Sequence, residues 1–380
     1  MITPTRINIT TIERELRQLW QDSATEAAAR GHAVTRVLTL NLVARARDST
    51  TADLISAVAQ ALTASHPNRT VLIIEHPDAP EPLIDAYVQA NCLLAAPGVP
   101  QVCGEQVTID VRGSAIGQVA SLVLPLLVPD LPVVLWLPGP APLDEPLLLR
   151  LRSILDRLIV DSSDSPHPLQ ELLRLADLER SGVGPAISDL AWTRLTPWRE
   201  LTAQFFDTRP LLPHLRRIDT VQLQYTAHTQ LNPAPALMII GWLASNLGWT
   251  PLTDAISVEG DTIRLYFRRP AIGVGPGAIR LVTAELTPDR DSDGIGGLTS
   301  VRLRAIDNIV ADFSVTCGDD PHCLRTSAAV AGHPPIERLA HVDVATPADL
   351  LAAELRLRSR DRTYSGALQL AGTLAARVGG

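Results

Sequence analysis

The chain has 380 residues, 46% of them hydrophobic and 19% charged; that balance builds a packed core, excludes an intrinsically disordered chain, and at this length calls for two domains. All 33 basic residues are Arg, which excludes chemistries that need a Lys ammonium: a phosphate-loop Lys, a Schiff base, a Ser-Lys dyad. The net charge of −8 leaves no basic field to displace counterions and argues against non-specific nucleic-acid binding.

From Met1 to Thr11 there is no basic-then-apolar signal-peptide pattern. Thr10 to Arg30 predicts a helix, with Ile12, Leu16, Leu19 and Trp20 at helical spacing and Gly31 as its stop, forming a lid or arm. Ala33 to Ala46 reads as one mostly buried strand, Ala52 to Ser65 as a helix, and Arg69 to His76 as a strand covered on both faces. Two more strands are predicted at Ile84 to Leu94 and Gln101 to Val111, then a helix over Ser114 to Leu127. The apolar run Val119 to Leu137 is broken by Pro125, Pro129, Asp130 and Pro132, so it is not a membrane span; no membrane partner and a cytoplasmic location are expected. Strand Val133 to Leu137, a helix near Glu145 to Leu155, strand Leu158 to Val160 and a helix over His167 to Arg180 complete a strand–helix alternation. That alternation predicts an α/β domain with a mainly parallel, helix-covered sheet over residues 1–185. No G-x-G-x-x-G joins a strand to a helix, so no dinucleotide cofactor is expected.

Residues 186–213 read as an aromatic helical connector holding two of the six Trp and two of the four Phe. Ser188 and Thr196 are N-cap types, the second followed by Pro197, so the connector is predicted as two helices in series with a bend between them. Trp198, Leu201 and Phe205 recur at i, i+3 and i+7 and form an apolar stripe. Such aromatics belong to the core or form a partner surface, and both can hold at once; the second reading rests on Trp and Arg being enriched at interfaces and interleaving here. Trp192, Arg194, Thr196, Trp198, Arg199 and Glu200 are the candidate partner-binding residues.

Beyond Pro213 the pattern changes. Ile218 to Thr226 reads as a strand and Pro235 to Leu247 as an apolar helix. Thr262 to Phe267, Ala278 to Leu286, Leu298 to Ala305 and Val310 to Thr316 read as an antiparallel meander, with short strands near Thr326 to Val330 and Glu337 to Val342. Thr346-Pro-Ala-Asp349 opens a helix to Arg358, and a last helix covers Ser365 to Arg377. Residues 214–380 are thus predicted as an α+β domain with an antiparallel sheet and C-terminal helices.

Local chemistries are few. Asp289-Arg-Asp-Ser-Asp-Gly294 matches the opening of a calcium loop, but Ser300 stands where the bidentate carboxylate belongs, so a hairpin turn is the reading. Gly273-Val-Gly-Pro-Gly277 has a phosphate loop's glycines, yet Pro276 removes a donor. The four cysteines, Cys92, Cys103, Cys317 and Cys323, are too few for a disulfide framework and are expected as free thiols. Around His322, Cys317 and Cys323 make too small a set for structural zinc, and no metal is expected. That loop carries two free thiols or, if folded back, a reducible disulfide.

Asp189-Leu-Ala-Trp-Thr-Arg-Leu-Thr-Pro-Trp-Arg-Glu-Leu201 with Gln204-Phe-Phe-Asp207 resembles the signature of the OpcA family, bacterial assembly or effector proteins of glucose-6-phosphate dehydrogenase. Leu127 to Gly139 and Arg157 to Ser162 are similar to that family too, although Leu137 stands where a second Trp is expected. The resemblance extends over nearly the whole chain. It implies a non-catalytic partner of glucose-6-phosphate dehydrogenase that promotes its active oligomer and raises its activity in the oxidative pentose phosphate pathway; some members are redox-responsive. The alternatives are a sugar-phosphate-binding enzyme using the α/β half, with Arg clamps replacing Lys, and a scaffold without effect on activity.

Overall fold

The computed structural model describes residues 5–7, 11–29, 34–92, 101–139, 146–182, 184–228, 230–271, 278–306, 309–318, 320 and 322–378. The Gly273–Gly277 segment lies outside them. The chain forms two compact units interleaved in sequence: Met1–Asp161, Val183–Asp189 and Thr346–Ser359 make the first, Ser162–Gly182, Leu190–Ala345 and Arg360–Gly380 the second.

The first unit is built on a nine-stranded sheet. In chain order its elements are β1 (Thr5–Ile7), α1 (Ile12–Ala29), β2 (Val34–Arg36), β3 (Leu40–Ala46), α2 (Ser49–Leu62), β4 (Asn68–His76), β5 (Leu83–Cys92) and β6 (Gln101–Arg112). Then come α3 (Val119–Val123), β7 (Val133–Leu137), α4 (Pro146–Leu151) and β8 (Arg157–Val160), with β9 (Ala186–Asp189) entering later. The order is β1-β5-β6-β4-β3-β7-β8-β9, with β2 beside β6; β1–β5 and β5–β6 are antiparallel and every other pair parallel. This is the mainly parallel, helix-covered sheet that the alternation predicts. All residues of β3, β7 and β8 are buried because both faces of these strands are covered; β7 is a continuous apolar run, while β3 and β8 also bury Asn41, Arg45 and Arg157. Helix α2 starts at Asp48, whose carboxylate accepts from Thr51 N (2.8 Å), and buries Ala52, Ile55, Val58, Ala59 and Leu62 along one stripe.

Two predictions change here. The single strand over Ala33 to Ala46 is β2 plus β3, because β2 pairs with β6 while β3 runs between β4 and β7. The helix over Ser114 to Leu127 is a 3₁₀ turn (Gly113–Gln118), α3, and another 3₁₀ turn (Leu124–Leu126) carrying Pro125, whose ring and missing donor end the α-helical ladder.

The second unit contains α5 (Pro168–Arg180), α6 (Leu190–Arg194), α7 (Thr196–Gln204), α8 (Leu212–Leu215), β10 (Ile218–Thr226) and α9 (Ala234–Leu247). Its remaining strands are β11 (Thr250–Glu259), β12 (Thr262–Pro270), β13 (Ile279–Asp289), β14 (Leu298–Ala305), β15 (Ala311–Cys317), β16 (Cys323–Val330) and β17 (Ile336–His341). α10 (Pro347–Leu355) belongs to the first unit, and α11 (Arg362–Val378) returns to the second. The eight-stranded order is β11-β12-β13-β10-β14-β15-β16-β17. The predicted meander is corrected at one place: β10 inserts between β13 and β14 and runs parallel to β13, the rest of the sheet being antiparallel. Val221, Leu223 and Tyr225 of β10 face the covered side, while Gln222 and Gln224 face solvent. Helix α9 is apolar nearly all round and buried accordingly. It packs against α11 so closely that a Cβ on Gly241 would collide with the Ala367 carbonyl. Among the described residues no helix is long and apolar enough to cross a membrane.

Candidate functional site

The aromatic stretch lies in the second unit. Its strand-to-helix entry differs from the prediction, since Ser188 lies within β9 and does not cap a helix. Helices α6 and α7 then follow in series as expected, with Leu195 at the bend and Pro197 in the first turn of α7. Both Trp rings point inward. Trp198 is fully buried and its Nε1 donates to the Ile295 carbonyl (2.8 Å). Trp192 is 3% exposed; its Nε1 donates to Asp361 Oδ2 (3.2 Å) and its ring leans on Tyr364 of α11, 5.8 Å between centroids. Asp361 in turn accepts from Thr363 N (2.8 Å) and Tyr364 N (3.1 Å), so the α6 ring and the α11 N-terminus share one anchor.

Arg199 closes the bend. Its guanidinium lies 3.6 Å from the Trp192 ring centroid, and Nη2 donates to Thr196 Oγ1 (2.8 Å) and to the Trp192 carbonyl (3.3 Å). Reversing this half-buried charge would therefore disturb packing and any binding together. Arg194 donates to Ser163 Oγ (3.1 Å), Thr196 is half-buried, and Glu200 is exposed. The core reading of the two Trp rings holds.

The same stretch also walls a cavity that was not legible in the sequence. About 690 Å³ in volume, it sits on the covered face of the second sheet, between Leu201, Gln204 and Phe205 on one side and Ala328, Val330 and Ile336 on the other. That size is within the range of ligand pockets. Phe205, one of the lining residues, and Phe206 meet Phe313 of β15 at 5.4 and 4.9 Å between centroids. Gln204, Ile309 and Ile336 are exposed, so it opens to solvent.

In the first unit a smaller cleft of about 240 Å³ lies beyond the carboxyl ends of β3 and β4, lined by Arg47, Glu75, Gly117, Leu147 and Arg150. Crevices at that end of parallel strands are where α/β sheets bind ligands. Elsewhere in this unit, Glu105 is fully buried and accepts from Trp20 Nε1 (2.7 Å), Arg36 Nη2 (3.0 Å) and Arg69 Nε. Arg69 also holds Glu13 (2.7 Å) and the Leu126 carbonyl (2.8 Å), so α1 is pinned to the sheet by buried charge.

The cysteine expectation is corrected for one pair. Cys92 and Cys103 are facing partners of the β5–β6 ladder and form a disulfide. Cys317 and Cys323 are free thiols. Cys317 pairs in register with Leu324, so Cys323, the residue before Leu324, faces the opposite side of the sheet. Cys317 Sγ donates to the Leu298 carbonyl and Cys323 Sγ to Asp320, each at 3.7 Å. Burial pushes the Cys317 thiol up, and burial followed by the Asp320 carboxylate does the same to Cys323, so both are poor thiolates.

The Asp289–Gly294 segment forms a turn. Asp289 Oδ1 accepts from Asp291 N and Ser292 N (both 3.1 Å), the bonding of an Asx turn. No group of three metal-ligating side chains occurs among the described residues.

The family model described as the glucose-6-phosphate dehydrogenase subunit N-terminal domain matches residues 59–177, and its C-terminal counterpart matches 185–368. OpcA of Nostoc punctiforme is 33% identical over 64% of this chain and 50% of its own. OpcA of Synechocystis is 29% identical over 83% of this chain and 65% of its own, and that of Synechococcus elongatus 30% over 84% and 70%. The chain thus spans between half and two thirds of the first two relatives' length. A 3-ketoreductase structure from Actinomadura kijaniata aligns over 90% of this chain and 97% of its own at a TM-score of 0.46 and 12% identity, a level from which no chemistry transfers.

Proposed function

This chain belongs to the OpcA family, and on that premise we propose that it binds glucose-6-phosphate dehydrogenase as a non-catalytic effector, promoting its active oligomer and raising its activity. The observation that carries the reading is how the signature stretch is used. Its Trp rings anchor α6 and α7 inside the unit, which leaves Leu201, Gln204 and Phe205 to wall an apolar cavity open to solvent, with Glu200 exposed on the same helix. An apolar pocket with a polar rim suits an anchor side chain from a protein partner. Trp192, Trp198 and Arg199 act by holding that wall, whose polar lining comes from Gln204, His333 and Arg338; Arg194, Thr196 and Glu200 are further candidate contacts on the same two helices.

The effect on the dehydrogenase follows from differential affinity. Binding its active conformation about 1–3 kcal/mol better than its inactive one shifts the equilibrium roughly 5–150-fold. The test mixes the two purified proteins and measures mass in solution alongside the dehydrogenase's kcat and KM. A stable complex with raised activity is the expected result. Ile309→Glu at the cavity mouth, where the side chain is 49% exposed, and Glu200→Arg should each weaken binding roughly tenfold, about 1.4 kcal/mol. Each should leave stability within about 0.5 kcal/mol. Unchanged binding by both moves the interface elsewhere, and a complex without altered kinetics leaves only a scaffold.

The cleft with Arg47 and Arg150 favours a second reading, a sugar-phosphate-binding enzyme in which guanidinium groups clamp the phosphate. Turnover of a sugar phosphate by this chain alone would replace the first reading with that one.

A further inference from the structure

We propose that the free edge of β17 pairs antiparallel with β17 of a second copy of this chain, joining two eight-stranded sheets across a two-fold axis with Leu339 at its centre. The hydrogen-bond phase of the edge strand comes first. Val342 N donates to the His322 carbonyl (2.7 Å), and Cys323 and His341 are register partners. Bonded pairs alternate along an antiparallel ladder, so residues 336, 338 and 340 turn their N–H and C=O groups toward β16. On the far side of β16, Gly318 N donates to the Cys323 carbonyl (2.9 Å), which fixes the same phase. The backbone groups of Glu337, Leu339 and His341 therefore point outward, and among the described residues β17 pairs with β16 alone.

Edge strands are usually guarded by Pro, by bulges or by charge. The opposite edge, β11, follows that rule: Pro251 lacks a donor and the register slips between Pro251 and Ile256. β17 is regular over all its residues. It also carries Leu339, at 67% the most exposed of the large apolar side chains among the described residues, in line with Arg325 and Glu337 on the solvent face.

A second copy is the occupant that the strand's own sequence selects. A two-fold relating neighbouring antiparallel strands stands perpendicular to the sheet, so facing residues share a face, and bonded pairs must come from the outward set. Centring on Glu337 opposes two carboxylates and sets Pro335, which has no donor, opposite Leu339. A centre at Arg338 opposes two guanidinium groups. Centring on Leu339 opposes the two Leu side chains and places Glu337 opposite His341 of the second copy on both sides, apolar on apolar and acid on imidazole. In that register the pairs Glu337–His341, Leu339–Leu339 and His341–Glu337 each exchange both of their N–H···O bonds. Arg325, 4.0 Å from Glu337, and Asp343, 3.2 Å from His341, lie on the same face and extend the alternation of charge. A contact of this size is small, so the dimer is concentration-dependent.

Light scattering on the full chain from micromolar to millimolar concentration tests this independently of any dehydrogenase. The mass should rise from 40.9 kDa toward that of two chains. Leu339→Pro deletes an outward donor without touching the β16 ladder, and Leu339→Arg sets two cations on the axis; both should stay monomeric with unchanged circular dichroism. Val258→Arg, an exposed change on β11, should dimerise like the parent. Amide exchange should slow with concentration at residues 337, 339 and 341 only, since those of 338 and 340 are bonded at every concentration. A parent chain that stays monomeric throughout, or Leu339 variants that dimerise like it, overturns the proposal.

Discussion

Glu105 and Glu171 are both nearly out of reach of water, yet their surroundings make them opposite in consequence. Glu105 is surrounded by donors from Trp20, Arg36 and Arg69, so its charge is compensated where it sits. Glu171, 7% exposed on α5, is not: burial pushes its carboxyl above the usual range, and the nearby Arg174 offsets only part of that. A carboxyl whose folded-state value is raised contributes stability below its unfolded value and loses it as pH rises through the folded one. At pH 7 the ionised Glu171 thus weighs against folding. Glu171→Gln should raise the melting temperature at pH 7, and the gain should vanish below about pH 4, where the carboxyl is protonated in both states. Melting curves of parent and variant across that range check the sign; a gain that persists in acid would mean the effect is packing and not charge.

At the scale of elements, the bend between α6 and α7 is held by the turn before β14 as much as by Arg199. Trp198 donates to the Ile295 carbonyl, and the next residue, Gly296, has φ of +60° with the Arg194 carbonyl 2.9 Å from where a Cβ would stand. Gly296→Ala should therefore cost at least about 1–2 kcal/mol from backbone conformation alone. Denaturant unfolding followed by Trp fluorescence measures it, and a neutral result would show that the turn is not clamped to the helices. The two helices were legible beforehand because Trp198, Leu201 and Phe205 keep helical spacing and Pro197 marks a start; the Thr346–Asp349 capping box was legible for the same local reason. What the sequence hid is non-local. Nothing near Thr220 says that β10 will run parallel to a strand some sixty residues on, and nothing near Cys92 says that Cys103 will face it across a ladder. β9 is four residues, half of them polar, and β11 carries Pro251, so neither shows the alternation by which strands are recognised. The cavity behind α7 needs residues from the α7–α8 stretch, from Ile309 and from β16, β17 and the turn between them, and no local pattern announces it.

For the whole molecule, the interleaving of the two units makes a prediction that the linear order of elements would not. A cut near residue 185 falls between the two family matches, yet it would strand helices on both sides. The first unit would lose α10, which packs on α2. It would also lose the Leu357 and Ser359 carbonyls that Arg157 of β8 grips at 2.6 and 3.0 Å. The second would lose α5, whose Glu179 accepts from Arg360 (2.8 Å) and Ser365 (2.5 Å) and whose Ala176 meets α11 at Gly372. Each fragment would then expose an apolar helix face and leave buried polar groups without their partners, a change of several kcal/mol against a total stability of about 5–15 kcal/mol. Residues 1–189 expressed alone should melt well below the full chain, and a synthetic segment 346–359 added in trans should raise that melting temperature with concentration, as binding to the folded state alone requires. If the fragment is as stable as the parent and indifferent to the segment, the crossing pieces are ornaments on two independent domains and not parts of their cores.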